Sequence, residues 1–225
     1  PREDDRILLV APNIDAFGED WSIPKEDLRL WICLHEVTHH AVLGIPHIRK
    51  NLSGLLTQHA ESFSNDPSVI QDQFGEIEIG EGLEGLASLQ NVLNPEMVLG
   101  AVRSPQQEAL LPYLEALVAV IIGFVDHTMD QIGNDLIPSY PMMTEALRRR
   151  RVETGEADRF VEKILGLNLT QEQVDRGVSF IDGVVDRVGS KGLDRLWVDE
   201  SNLPTPSEVD APGLWLARLD LETGN

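Results

Sequence analysis

The sequence contains one cysteine, Cys33, in 225 residues. A lone thiol cannot close an internal disulfide and fits a reducing compartment, so a cytoplasmic location is expected. Cations are scarce too: 18 Lys and Arg stand against 38 Asp and Glu, for a formal net charge of -20. Binding to a phosphate backbone needs clustered cations that release counterions, so nucleic acid is not an expected partner. The one basic run, Arg148-Arg149-Arg150-Arg151, reads as a solvated helix end, where positive charge suits the helix dipole. Long apolar runs are missing. The longest, Ala116 to Val125, is too short to span a bilayer and reads as a buried helix, so no membrane association is expected. No secretory apolar segment is visible, although the chain begins at Pro1 rather than Met, which leaves room for an upstream segment. Internal repeats, a clear linker and a serine or cysteine nucleophile context are all lacking.

What is present suffices for one sizeable core: 42% of the residues are hydrophobic, and residues 1–225 are expected to form one domain. Arg6-Ile-Leu-Leu-Val-Ala11 reads as a short strand ahead of Pro12 and Asn13. Pro24 suits a first helical turn, and Leu28, Trp31, Ile32, Val42 and Leu43 recur at helical spacing from Lys25 to Leu43 until Gly44 and Pro46 stop the pattern. A second helix is expected from Ile48 to Phe63. Gly75 to Gly85 reads as an acidic glycine-rich loop, with helix returning near Leu86 to Val92. Pro105 opens a long helix to about Ile132, with a possible kink site at Pro112. Met142 to Arg151 is a further helix. Thr170-Gln-Glu-Gln173 is a capping box for a helix that sets Val174, Val178, Ile181, Val185 and Val188 on one face, and Thr205-Pro-Ser-Glu208 starts the tail. The fold class is therefore mainly α: a single helical domain with a few short strands.

The chemistry-bearing motif is His35-Glu36-Val37-Thr38-His39. On a helix, residues four apart stack on one face about one turn apart, so the two imidazoles can ligate one zinc ion. Glu36 is turned about 100° away, and in HExxH hydrolases this carboxylate takes the proton from zinc-bound water. The motif lies inside an amphipathic helix rather than in a loop. The bland alternative is two histidines satisfied in a polar core. His40 follows on a different face and is a poor ligand for the same ion.

A catalytic zinc needs three protein ligands and an open position. The metzincin spacing fails, because Val42 and Ile45 stand where it needs Gly and His. His47 comes later and reads more readily as a surface histidine. A carboxylate from a second helix is the other route, and the apolar stretch Ala116 to Val125 ends in Asp126-His127-Thr-Met-Asp130. Ionisable groups at the end of a buried helix need partners or a metal, or else form a charged surface cluster.

Several segments together, Ala11-Pro-Asn-Ile14, Leu30 to His39, Gly123-Phe-Val-Asp-His-Thr-Met-Asp130, the arginines 148–151, Leu203-Pro-Thr205 and Pro212-Gly-Leu-Trp215, resemble a family of uncharacterised zincin-like candidate hydrolases. That family is found mainly in actinobacteria and also in Chloroflexi, and some members are associated with deazaflavin-coenzyme biosynthesis. The resemblance spans nearly the whole chain. It implies a zinc-dependent hydrolase or peptidase without naming a substrate, with His35 and His39 as ligands and Glu36 as base; a peptide or small amide is the expected substrate. Many members carry Glu immediately before the glycine of the second helix, as third ligand, and the Asp four residues on supports a ligand histidine. In this chain the Glu position is Ile122. Either Asp126 or, second in rank, His127 then serves as metal ligand, or the metal is bound weakly, or the site has lost turnover and the fold serves as a scaffold or binding protein.

Other patterns carry less. Gly80-Glu-Gly-Leu-Glu-Gly85 matches a dinucleotide fingerprint, but Glu81 and Glu84 would repel a pyrophosphate and no βαβ unit surrounds it. His59 with Glu61 has no ligand spacing. Tyr140 could donate to an oxyanion, with no spacing rule behind it. Nothing in the residue pattern sets an oligomeric state.

Overall fold

The computed structural model describes residues 6–62, 104–152 and 171–223. The expected loop at Gly75 to Gly85, the helix at Leu86 to Val92, Phe63 and Thr170 lie outside the described residues. Among those described, the elements are α1 (Ala11–Asp20), α2 (Lys25–Gly44), α3 (Pro46–Glu61), α4 (Pro105–Leu136), α5 (Tyr140–Val152), α6 (Gln171–Val188), two 3₁₀ turns (Ser190–Trp197 and Glu200–Asn202), α7 (Pro206–Asp210) and α8 (Pro212–Thr223). The chain is mainly α.

The strand expected at Arg6 to Ala11 is a correction. No strand occurs among the described residues, so this apolar run has nothing to pair with. Leu8, Leu9 and Val10 are exposed. Pro12 occupies the first turn of α1, where its missing N–H costs nothing. The same device opens α3, α4 and α7. Ser104 caps α4 reciprocally with Gln107, the Gln107 N–H donating to Ser104 Oγ at 3.1 Å and the Ser104 N–H to Gln107 Oε1 at 3.0 Å. Ser104 Oγ and Gln107 Nε2 also donate to the carbonyls of Ser62 and His59, which tie the end of α3 to the start of α4. The helix runs on through Pro112 to Leu136. By length and composition α4 is apolar enough to cross a membrane, and half of its most apolar window is buried inside the fold. Its hydropathy is accounted for by burial on two sides.

One side of α4 meets α6 through glycine. A Cβ at Gly177 would overlap the Ala119 carbonyl, and one at Gly123 would overlap the Gly177 backbone, so the helices touch main chain to main chain. The buried stripe of α6 is consequently Val174, Gly177, Phe180, Ile181 and Val184. It is rotated from the expected Val174–Val178–Ile181–Val185–Val188 face, and Val188 is exposed. Behind the seam, Phe180 and Val184 pack with Leu196, Trp215 and Leu219 into a core that draws on α4, α6 and the tail. Gly189, with φ of 77°, turns the chain out of α6 in the left-handed region that glycine tolerates. Arg218 locks the tail. It pairs with Glu208 at 2.7 Å and donates to the carbonyls of Ser201 and Leu203.

The other side of α4 meets α2. Leu28 and Trp31 pack with Val125 and Met129, joined by Tyr140 and Met143 of α5. Further along, Val42 packs with Leu117 and Ile121. The N-terminal half of α2 thus lies on the C-terminal half of α4, and the two helices run antiparallel. Asp15 bonds Lys25 at 2.8 Å and Arg29 at 3.1 Å to hold α1 on α2, and Asp27 accepts from Ser139 Oγ at 2.6 Å to hold the α4–α5 corner.

Candidate functional site

The inward stripe of α2 reads Leu28, Trp31, His35, His39 and Val42, spaced by three or four residues. Leu28, Trp31 and Val42 are buried, so the two imidazoles occupy positions where the helix elsewhere places core side chains. The Trp31 ring stacks on His35, with centroids 4.6 Å apart and planes 20° apart. His35 meets His39 edge to face at the same 4.6 Å separation, with planes at 65°. Glu36 Oε1 lies 3.5 Å from His35 Nδ1. Its side chain is 40% exposed against 19% for His35, which leaves the carboxylate open to water while the imidazole is held. Thr38, in the middle of the motif, donates its hydroxyl to the Leu34 carbonyl at 2.8 Å and is committed to the helix.

This turn opens into a cleft of about 470 Å³ between α2, α3 and the segment before α1, a size common for small-molecule sites. His35, Glu36, His39 and His40 form one wall, continued by Leu43. Opposite stand Arg49, Leu52, Ser53 and Leu56 of α3, with Arg6 and Ile7 at the edge. The α3 residues are spaced by three, one and three, one stripe of that helix. Ile45 alone separates α2 from α3, which folds the start of α3 back beside His39 to Leu43. Arg49 Nε donates to the Leu43 carbonyl at 3.1 Å and braces that corner. Neither Arg49 nor Ser53 was foreseen from the motif. The short α2–α3 connection is the sequence signal that could have found them.

The remaining sequence candidates lie elsewhere. The antiparallel packing sets the Ile122–Asp126 turn of α4 opposite the His35–His39 turn of α2, with Ile122 and Asp126 half-buried. Asp126 acts electrostatically on Tyr140, as does Asp130, which accepts the Tyr140 hydroxyl at 2.6 Å. Burial first, then the Asp130 bond and the two carboxylate charges, push the Tyr140 phenol well above its ordinary range. Tyr140 therefore stays protonated, with its ring against Gly133, where any Cβ would collide with it. His127 lies on the α6 side of α4, its Nδ1 3.8 Å from Asp182. His47, past the end of α2, acts on Asp199 rather than lining the cleft.

A zinc ion fits this donor set in part. Two imidazoles one turn apart supply two of the three protein ligands that a catalytic zinc takes. Among the described residues no group of three or more His, Cys, Asp or Glu comes together as a metal site. Ile122, at the position where the resembling family carries a carboxylate, has an alkyl side chain that cannot ligate.

Comparison with known proteins agrees with this architecture. A family model for zincin-like metallopeptidases matches residues 1–216. No curated protein matches the chain. A crystal structure described as a candidate hydrolase with a novel fold, from Chloroflexus aurantiacus, superposes with a TM-score of 0.65 at 26% identity, over 94% of this chain and 58% of that one. The chain thus spans little more than half the length of that relative. With the family match covering residues 1–216 and the HExxH turn at the wall of the cleft, this chain belongs to the zincin-like metallopeptidase family.

Proposed function

We propose that this chain is a hydrolase of peptide or small amide bonds whose centre is the His35-Glu36-His39 turn. The observation that carries the reading is a pair of imidazoles on an otherwise buried stripe, edge to face at 4.6 Å, with a water-accessible carboxylate beside them at the wall of a cleft. A helix seeking only stability would place apolar side chains at 35 and 39, as it does at Leu28 and Val42. Glu36 is the group that takes a proton from the attacking water and returns it to the leaving amine. Trp31 fixes the His35 ring by stacking. His35 and His39 are the residues that would hold zinc, and the ion, when bound, polarises the substrate carbonyl and lowers the pKa of its water. The hydrolase description of the Chloroflexus relative supports the reaction class.

A second reading, a zincin fold retained as a binding scaffold without turnover, is favoured by Ile122 and by the missing third donor among the described residues. Metal content separates the two. Protein purified without chelators and then supplied with zinc is expected to retain about one ion per chain by elemental analysis, and Glu36→Gln is expected to keep that ion while losing roughly 10²–10⁴-fold in peptide hydrolysis. Failure to bind zinc at micromolar concentration would leave the scaffold reading in place. Hydrolysis that survives Glu36→Gln would remove Glu36 from the mechanism.

A further inference from the structure

Trp31 is held at both ends. Its ring face stacks on His35, with centroids 4.6 Å apart and planes 20° apart. Its indole N–H is buried and completes no hydrogen bond among the described residues. A buried indole N–H normally has a partner, since it can only donate. The group that Trp31 acts on is the Tyr140 phenol, in the sense that favours negative charge on the oxygen, which is the sign of an N–H directed at that oxygen. Tyr140 is itself committed. It is buried with Trp31 in one core cluster, donates its hydroxyl to Asp130 Oδ1 at 2.6 Å and sets its ring against Gly133. A hydroxyl that donates to a carboxylate keeps its lone pairs for a donor, and the ionised acceptor makes them more attractive to it. Carboxylate, phenol, indole and imidazole thus form one succession of contacts, from Asp130 on α4 through Tyr140 on α5 to Trp31 and His35 on α2.

We propose that Tyr140 is a positioning residue for His35, acting through Trp31, with Asp130 as its anchor. Stacking sets the separation of two rings but leaves them free to slide and tilt in their common plane. A polar tether at the far edge of the indole removes that freedom, and the face that meets His35 is then fixed as well. The orientation of the first imidazole is in this way set from the α4–α5 corner, outside the HExxH turn. This deepens the hydrolase reading, and its consequence for metal affinity rests on that reading: a ligand histidine whose ring is held in place gives up less freedom on binding.

The test reads the His35 ring in the metal-free full chain, by proton–carbon NMR of the imidazoles at about pH 8.5, where an ordinary histidine is neutral. The chain has six histidines, and His35→Gln identifies the signal that belongs to His35. In wild type the stacked indole should hold that signal upfield of where exposed imidazoles fall. Tyr140→Phe removes the hydroxyl and keeps the ring. It is expected to shift the His35 signal downfield and to lower zinc affinity about 10–100-fold, the range for groups that orient a ligand histidine. Ser139→Ala is the matched control: it removes another hydroxyl–carboxylate bond of 2.6 Å from the same corner and should leave both readings in place. Should Tyr140→Phe fail to fold, Asp130→Ala, at an exposed position, is expected to move the signal in the same direction by a smaller amount. An unmoved His35 signal in the folded variant overturns the proposal. So does an equal shift in Ser139→Ala, and so does a moved signal at unchanged zinc affinity. A wild-type chain that binds no zinc would sink the hydrolase reading, while the metal-free spectrum still decides whether Tyr140 holds His35.

Discussion

Ile122→Glu asks whether the packing of α4 on α2 has been read correctly. Ile122 is half-buried and sits one turn from Val125 and next to Ile121, both buried against α2. Removing half of an isoleucine's burial costs about 1 kcal/mol, and partial desolvation of a carboxylate costs about 1–3 kcal/mol more. The metal-free variant should therefore melt roughly 5–15 °C lower, at about 2–4 °C per kcal/mol for a chain of this size. Zinc offsets most of that loss. A four-ligand structural site gains about 10–16 kcal/mol, or roughly 3 kcal/mol per ligand, so a third ligand beside His35 and His39 should tighten zinc about a hundredfold. At a hundred times its Kd, zinc returns about 2.7 kcal/mol to the folded state. The assay is a pair of thermal melts with and without zinc, combined with competition against a chromophoric chelator, on wild type, Ile122→Glu and Ile122→Gln. The Gln variant should share the destabilisation and lack the zinc response. Zinc affinity of Ile122→Glu within threefold of wild type would show that position 122 does not face the imidazoles, and the register argument would fail with it.

Two further outcomes follow from the packing. Gly177→Ala drives a methyl into the Ala119 carbonyl; because main chain rather than a flexible side chain must yield, the loss should reach about 3 kcal/mol or more, measured by urea unfolding, and a loss under 1 kcal/mol would refute the close approach of α4 and α6. The second concerns acid. Burial alone would raise the Glu208 carboxyl, but the bonds from Arg218 and Thr205 outweigh it and hold the group below its ordinary value of 4.5. A depressed folded pKa contributes stability that is complete above pH 4.5 and is lost as the pH falls through the folded value. Glu208→Gln should therefore cost about 2–4 kcal/mol at neutral pH and flatten the decline below pH 4.5, and an unchanged acid limb would reject the assignment.

The helices were legible wherever the sequence marks their ends with backbone chemistry. Pro24, Gly44, Pro46, Pro105 and the Thr205–Glu208 box fall where α2, α3, α4 and α7 begin or stop. The run Ile7 to Val10 misled because hydropathy registers β-propensity, whereas a strand exists only with a partner to bond. The face of α6 was misjudged for a related reason. Hydropathy gives Gly177 no weight, yet a missing side chain lets α4 approach and decides which way the helix turns. At the site, the HExxH spacing was enough to set His35 and His39 side by side on one face, since that follows from helical geometry alone. The α3 wall was not legible from the motif, because Arg49 and Leu52 reach the cleft through a tertiary fold-back. Asp126 and His127 could be ranked from their helix angle, but that angle does not reveal that Asp126 acts on Tyr140 while His127 faces Asp182.

The core behind the glycine seam, from Ala116 through Phe180 and Trp215 to Leu219, takes no side chain from α1, α2 or α3. Among the described residues, those three helices rest on α4 through the packing of Leu28, Trp31, Val42 and Ile48 and through the hydrogen bonds from Ser104 and Gln107 at the end of α3. Every described residue lining the cleft belongs to α2, α3 or the segment before α1. This division predicts graded cooperativity: the α4–α6–tail core is expected to keep its interior when α2 and α3 open, and the described lining of the cleft lies in those outer helices and the segment before α1. Amide exchange in α2 and α3 should run at a lower opening free energy than in α4 and α6. The walls of the cleft are then expected to loosen by a sub-global fluctuation, without unfolding of the whole molecule.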